Sequence, residues 1–278
     1  MNKSDYVSVA VEIVKEAGAI VEHYYGRRPE IEYKGKSDLV TAADRASEKL
    51  VVEKLRARFP NHGIIGEEGS NLDIDADYCW YIDPVDGTTN FAHGYPLFNV
   101  SLGLAYKGEV ITGVVYDPIH KECFAAERGS GAYLNNRKIQ VSSTLGIEQG
   151  LFATGFPSAR RPEISLNLYF FHQVSMLTHG TRRAGSAALD LCFVACGRLD
   201  GFWEFGLSAW DTAAGILMVT EAGGTVSDMR GSPYQLGGID LVATNGSVHG
   251  ELLGLFTELF QGKYRVPLPV AGAWPQSE

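Results

Sequence analysis

Between residues 5 and 25 the apolar positions Tyr6, Ala10, Ile13, Ala17, Ile20 and Tyr24 recur at helical spacing, and Gly26 with Pro29 closes the run. The pattern predicts an amphipathic first helix. After a polar loop around Lys34-Gly35-Lys36, a second helix is expected from about residue 42 to 59. Leu50, Leu55 and Phe59 form its apolar side and Pro60-Asn61 its stop. Two helices are thus expected before any sheet. Between 97 and 141 the period changes. The runs 97–106, 109–116 and 122–127 are divided by Lys107-Gly108, Asp117-Pro118 and Arg128-Gly129, which reads as an antiparallel meander covered by the two helices.

Beyond about residue 145 strands and helices alternate. A strand is expected near 151–154, helices near 163–177 and 186–197, a strand at 201–205 and a helix at 211–222. Strands at 224–228 and 240–244 and a helix at 247–261 complete the order. The tail from Val266, with Pro267, Pro269 and Pro275, is expected to be irregular. The expectation is one domain made of an N-terminal α+β half (about 1–145) and a more α/β-like C-terminal half (about 146–265). No internal repeat or low-complexity linker interrupts it.

The 278 residues, 45% of them hydrophobic, suffice for one large core or two closely joined ones. Lys3, Asp5, Glu12, Lys15, Glu16 and Glu22 interrupt the first helix, so it reads neither as a signal peptide nor as a membrane span, and a cytoplasmic location is expected. Cys79, Cys123, Cys192 and Cys196 are too few and too scattered for a disulfide scaffold and sit among apolar residues, as buried free thiols do. Cys192 and Cys196, one helical turn apart, have no second Cys or His pair and read as core packing. A formal charge of -9 argues against nucleic-acid binding.

The chemistry is concentrated in Asp83-Pro84-Val85-Asp86-Gly87-Thr88. The apolar strand Trp80-Tyr81-Ile82 delivers Asp83 and Asp86 into a turn at its C-terminal end, where two carboxylates can converge on hard cations. Gly87 and Thr88 then open a helical stretch whose free N–H groups suit an anion. A turn rich in turn-forming residues is the competing interpretation. Upstream, Ile64-Ile65-Gly66-Glu67-Glu68-Gly69 ends a short strand in paired carboxylates, either ligands or a solvated loop. Asp44 fits a capping box with Thr41, and Asp211, before a good helix, suits a helix N-terminus. By pattern alone both are structural. Asp73, Asp75 and Asp77 alternate as in an EF-hand, but Tyr78 and Pro84 stand where that loop needs Gly and Glu. A haloacid-dehalogenase-type nucleophile needs Asp-x-Asp near the chain start; here the spacing is Asp-x-x-Asp and the motif lies some 80 residues in. A covalent aspartyl-phosphate is therefore not expected.

Asp83-Pro84-Val85-Asp86-Gly87-Thr88-Thr89-Asn90-Phe91 resembles the first signature of the inositol monophosphatase family, and Trp210-Asp211-Thr212-Ala213-Ala214-Gly215 the second. Further collinear segments are similar: Asp38-Leu39-Val40-Thr41-Ala42-Ala43-Asp44, Gly66-Glu67-Glu68, Gly113-Val114-Val115-Tyr116, Gly155-Phe156-Pro157 and Gly185-Ser186-Ala187-Ala188. The resemblance implies a layered αβαβα fold, of the inositol monophosphatase and fructose-1,6-bisphosphatase type, with both halves contributing to one site. It implies a Mg²⁺-dependent, lithium-sensitive phosphatase with two or three ions. By motif position, Glu67, Asp83 and the carbonyl of Val85 would hold the first Mg²⁺, Asp83, Asp86 and Asp211 the second, and Glu67 again a third.

On the same resemblance, Asp44 and Thr88 would orient an attacking water, the ions would activate it and neutralise the phosphoryl oxygens, and Asp86, Gly87 and Thr88 would meet the phosphate. Gly185, Ser186, Ala187, Glu204 and Asp211 would meet the rest of the substrate. Inositol 1-phosphate is the default substrate. Relatives act on fructose bisphosphate, histidinol phosphate or adenosine 3',5'-bisphosphate, and Ser208, on the expected rim, does not choose among them. A homodimer is expected, and no nucleic-acid or membrane partner. The family also offers a reading of another class, because a bacterial member joins transcription complexes as a binding protein.

Overall fold

The computed structural model describes residues 3–26, 31–33, 39–156 and 162–268. The loop around Lys34-Gly35-Lys36, Asp38, Pro157 and the tail beyond residue 268 lie outside the described residues; 266–268 carry no helix or strand. The chain opens with α1 (Lys3–Tyr24), the ribbon β1 (Ile31–Tyr33) and β2 (Leu39–Thr41), and α2 (Ala42–Arg58). Then come β3 (Gly63–Gly66), β4 (Asn71–Leu72), β5 (Tyr78–Asp86), α3 (Thr88–Ala92), β6 (Asn99–Tyr106), β7 (Glu109–Asp117), β8 (Glu122–Glu127), β9 (Gly131–Leu134) and β10 (Arg137–Lys138). The second half runs β11 (Leu151–Thr154), α4 (Pro162–Leu177), β12 (Gly180–Arg182), α5 (Ala187–Ala195), β13 (Gly201–Phe205), α6 (Ala209–Glu221), β14 (Thr225–Ser227), β15 (Asp240–Thr244) and α7 (His249–Phe260).

Among the described residues, β3 to β10 form an eight-stranded sheet in the order β10-β9-β8-β7-β6-β5-β3-β4, antiparallel from β5 through β10, the stretch from β6 onward being the expected meander. A five-stranded mixed sheet, β12-β11-β13-β15-β14, follows. Helices α1 and α2 cover one face of the larger sheet and α6 its other face, while α5 and α6 also meet the smaller sheet, whose far side carries α4 and α7. The layers are therefore αβαβα. Several details differ from the sequence reading. The ribbon of β1 and β2 precedes α2, so the two helices are not consecutive; its strands of three residues are too short for the alternation to register. The edge strand β12 also went unread, for the same reason.

The middle layer decides where the site forms. Val115 and Phe124 of the larger sheet and Phe202 and Ala243 of the smaller one share one apolar cluster with Leu191, Ala213 and Ala214 of α5 and α6. Gly103 and Gly113 let α6 lie directly on β6 and β7: a Cβ at Gly103 would stand 2.6 Å from the Ala213 methyl, and one at Gly113 2.7 Å from the Ala214 carbonyl oxygen. That close approach brings the first turn of α6, with Asp211, toward the end of β5. Cys79, Cys123 and Cys192 are buried free thiols and Cys196 is partly so, with Cys192 and Cys196 packed in the same apolar layer. Among the described residues no helix is long and apolar enough to cross a membrane.

Candidate active site

Asp83 and Asp86 do not occupy a free turn after a short strand; they lie in the bulged end of nine-residue β5. The ladder with β6 passes from Asp83 opposite Ser101 to Asp86 opposite Asn99, one residue more on β5 than on β6. Pro84 has no N–H to offer the ladder, so the extra residue is accommodated there. Two bonds hold the bulge: Val85 N–H donates to Asp83 Oδ1 at 3.1 Å, and the Ser47 hydroxyl of α2 donates to the Pro84 carbonyl at 3.1 Å. Gly87 follows at φ +94°, a left-handed conformation that favours glycine, and turns the chain into the five-residue α3.

Each aspartate has its own setting. Asp86 Oδ2 accepts from Ser186 Oγ at 2.6 Å, Asn99 Nδ2 at 2.8 Å and Ala188 N–H at 2.9 Å. Burial raises its pKa and these hydrogen bonds oppose the rise. Asp44 does cap α2, through Oδ2 and the N–H of Thr41 at 2.9 Å, while its other oxygen, Oδ1, lies 3.2 Å from Thr88 Oγ1. The Thr88 hydroxyl also reaches the Val85 carbonyl at 2.9 Å. Having one hydrogen, it donates to one of these at a time and keeps lone pairs for a further donor. Asp211 likewise caps: its Oδ2 accepts the Ser208 N–H at 2.6 Å in the first turn of α6. Glu67 leaves the end of β3, its N–H bonded to the Ile82 carbonyl at 3.1 Å, which keeps it beside Asp83.

These groups face one cavity of about 540 Å³. Glu67, Asp83, Val85, Asp86, Gly87, Thr88, Gly185, Ser186, Ala187, Glu204 and Asp211 all line it. Asp44 does not, and reaches it through Thr88. Burial, then the charges of Glu67, Asp86 and Asp211, push the Asp83 carboxyl well above the usual range; burial, then Asp86 and Glu67, do the same to Asp211. Glu204 on β13 is pushed up to about 8 by burial, with Arg183 opposing. Among the described residues no three such side chains stand close enough to be a ready-made metal cluster. They surround the cavity instead. Among the described residues the lining holds no Lys or His and one Arg, Arg183, and the carboxyls of Glu67, Asp83, Asp86 and Asp211 with the Val85 carbonyl form a hard oxygen donor set that fits a divalent cation such as Mg²⁺.

Sequence reasoning passed over three contributors. Asn99 holds Asp86 from the neighbouring strand, a cross-strand relation visible only once the register is known. Asn90, part of the quoted motif but given no role, donates to the Leu97 carbonyl at 2.8 Å and the Ala184 carbonyl at 2.9 Å, stapling α3 to the 184–185 turn. Arg183 lines the cavity with its guanidinium over the Phe156 ring, 6.0 Å from the centroid; nothing in its local pattern marks it.

A model of the inositol monophosphatase family matches residues 2–261. The chain belongs to the inositol monophosphatase family. Membership of this family implies phosphatase activity, generally metal-dependent. The chain is similar to an inositol-1-monophosphatase of Synechocystis sp., 47% identical over 249 residues, covering 89% of this chain and 87% of that protein. It is also 45% identical over 254 residues to a protein of Pseudomonas aeruginosa named Nus factor SuhB, covering 89% of this chain and 94% of the other. The solved inositol monophosphatase of Anabaena superposes with a TM-score of 0.84 at 42% identity, covering 99% of this chain and 100% of that one. The layered fold is therefore shared with a solved inositol monophosphatase.

Proposed function

We propose that this chain hydrolyses a small phosphate monoester with Mg²⁺, inositol 1-phosphate before others, releasing the alcohol and inorganic phosphate. The observation that carries the reading is the convergence of Glu67, Asp83, Asp86 and Asp211, from the turn after β3, from β5 and from α6, on one polar cavity beside the Asp44–Thr88 pair. Glu67, Asp83 and the Val85 carbonyl would hold one ion, Asp83, Asp86 and Asp211 a second, and Glu67 a third. Bound Mg²⁺ supplies charge neutralisation at the phosphoryl oxygens and a lowered pKa for the attacking water.

The protein's own groups do the positioning. Asp44, fixed by its capping bonds, orients the Thr88 hydroxyl, whose remaining lone pair orients the attacking water. The N–H groups of Gly87 and Thr88 hold the phosphate so that the ester oxygen leaves opposite the water. Gly185, Ser186, Ala187 and Glu204 take the hydroxyl-bearing part of the substrate. No aspartate forms a covalent intermediate. The two halves, about 1–145 and 146–265, act as one catalytic domain, cytoplasmic, homodimeric and inhibited by lithium.

A panel of phosphorylated metabolites assayed side by side with Mg²⁺ tests the reading: inositol 1-phosphate, fructose 1,6-bisphosphate, histidinol phosphate and adenosine 3',5'-bisphosphate. Fastest release from inositol 1-phosphate is expected. A second reading, a non-enzymatic binding role in a transcription complex, is supported by the similarity to the Pseudomonas Nus factor; phosphate release from no member of the panel would favour it.

A further inference from the structure

Asp44 is not the only residue of α2 that reaches toward the cavity's walls. Asp44, Ser47 and Glu48 stand three and four residues apart, on one face of the helix. Asp44 meets Thr88, Ser47 meets the Pro84 carbonyl, and Glu48 meets the turn that follows β3. Glu48 is only 4% exposed. Its Oε2 accepts the Glu68 N–H at 2.8 Å and its Oε1 the Ser70 N–H at 3.1 Å.

The backbone donors of 66–70 can be followed one by one. Gly66 N–H bonds to the Ser70 carbonyl at 2.7 Å, Glu67 N–H to the Ile82 carbonyl at 3.1 Å and Gly69 N–H to the Gly66 carbonyl at 3.3 Å. The two that remain, on Glu68 and Ser70, are those taken by Glu48. One carboxylate therefore satisfies both donors that the turn cannot satisfy itself. The contact is close: a Cβ at Gly66 would stand 2.5 Å from Glu48 Oε2, so the glycine is what lets the carboxylate seat against the turn.

We propose that Glu48 is a positioning residue for Glu67, clamping the 66–70 turn from α2 so that the Glu67 carboxyl is held against Asp83. The inference rests on the proposed role of Glu67 as a Mg²⁺ ligand. Glu48 does not line the cavity; it acts through the backbone N–H groups of Glu68 and Ser70. Because α2 also carries Asp44, the same rigid helix fixes the water-orienting pair and the Glu67 turn relative to one another.

The test is calorimetric titration of Mg²⁺ into the full-length wild type, Glu48→Gln, Glu48→Asp, Glu67→Gln and the Glu48→Gln/Glu67→Gln double variant, with folding checked by circular dichroism. Gln keeps one acceptor but turns an amide N–H₂ against a backbone donor; Asp, one methylene shorter, loses the two-point reach with less disturbance. Each Glu48 variant is expected to weaken Mg²⁺ binding about 10- to 100-fold, the usual consequence of removing a support behind a ligand. In the Glu67→Gln background the Glu48→Gln change is expected to have no further effect, and the KM for inositol 1-phosphate at saturating Mg²⁺ to move far less than the Mg²⁺ affinity. Folded Glu48 variants with wild-type affinity overturn the inference, as does an equal loss with and without Glu67. If Glu67→Gln weakens binding while the Glu48 variants do not, only the clamp fails. If the wild type binds no Mg²⁺, the proposed function fails with it.

Discussion

Ser186 and Asp86, a hundred residues apart in the chain, are joined by a hydrogen bond of 2.6 Å from the Ser186 hydroxyl to Asp86 Oδ2. It links the bulged end of β5 to the start of α5, and thus the first half of the chain to the second. The same hydroxyl accepts from the Leu189 N–H as the N-cap of α5. Both residues are buried in the cavity wall.

Ser186→Ala is therefore expected to lose a buried hydrogen bond and a helix cap together. The destabilisation should be about 1–2 kcal/mol, read as a lowered denaturant midpoint with an unchanged slope. Removing a donor to the Asp86 carboxyl should also weaken Mg²⁺ binding measurably. An unchanged midpoint would show that the bond contributes nothing to the joint between the halves.

The buried carboxyls predict a dependence on pH whose sign is set by Glu204. In the folded protein it keeps its proton up to about pH 8, whereas an unfolded chain releases it near the ordinary glutamate value. The folded state binds more protons across that window, so stability falls as pH rises through it. Replacing Glu204 by Gln removes the cost of ionising it. In chelator, Glu204→Gln should be more stable than wild type at pH 9, by on the order of a few kcal/mol, with the difference closing by pH 5. Thermal melts of the two proteins across that range check it; a constant difference would contradict the burial of this carboxyl.

The cysteines give a simpler check. Burial pushes the Cys79 thiol up to about 11 and raises Cys123, Cys192 and Cys196 as well, and the thiolate is the reactive form. Native protein at pH 8 should react slowly with a disulfide reagent such as dithionitrobenzoate, Cys196 first, and all four should titrate promptly in denaturant. Rapid reaction of more than one thiol in the native state would contradict this packing.

Much of this architecture is written in local pattern. The periodicity of Ala10, Ile13 and Ala17 fixes α1, and Lys107-Gly108 and Arg128-Gly129 mark hairpins that form where expected. The paired role of Asp44 as cap and as partner of Thr88 could be read only halfway: the capping box is a relation over three residues, whereas Thr88 lies 44 positions away. Asn99 beneath Asp86 and Glu48 beneath the 66–70 turn are likewise long-range, set by strand register and helix docking. The Asp83–Asp86 bulge looks like a turn in sequence because Pro and Gly favour both, and only pairing with β6 decides between them. Asp83 and Asp86 stand out by local pattern, whereas the site roles of Asp44 and Asp211 come from motif resemblance, since pattern alone makes them ordinary caps.

In the proposed mechanism, carboxylates from both halves hold the metal that makes hydrolysis possible. Phosphate release from inositol 1-phosphate, followed against Mg²⁺ concentration for wild type, Asp86→Asn and Asp211→Asn, tests it most directly. Wild type should show a saturable Mg²⁺ requirement, and each variant, folded by circular dichroism, should lose turnover, because each exchanges a charged ligand for a neutral amide of the same shape. Undiminished release by both folded variants would contradict the account.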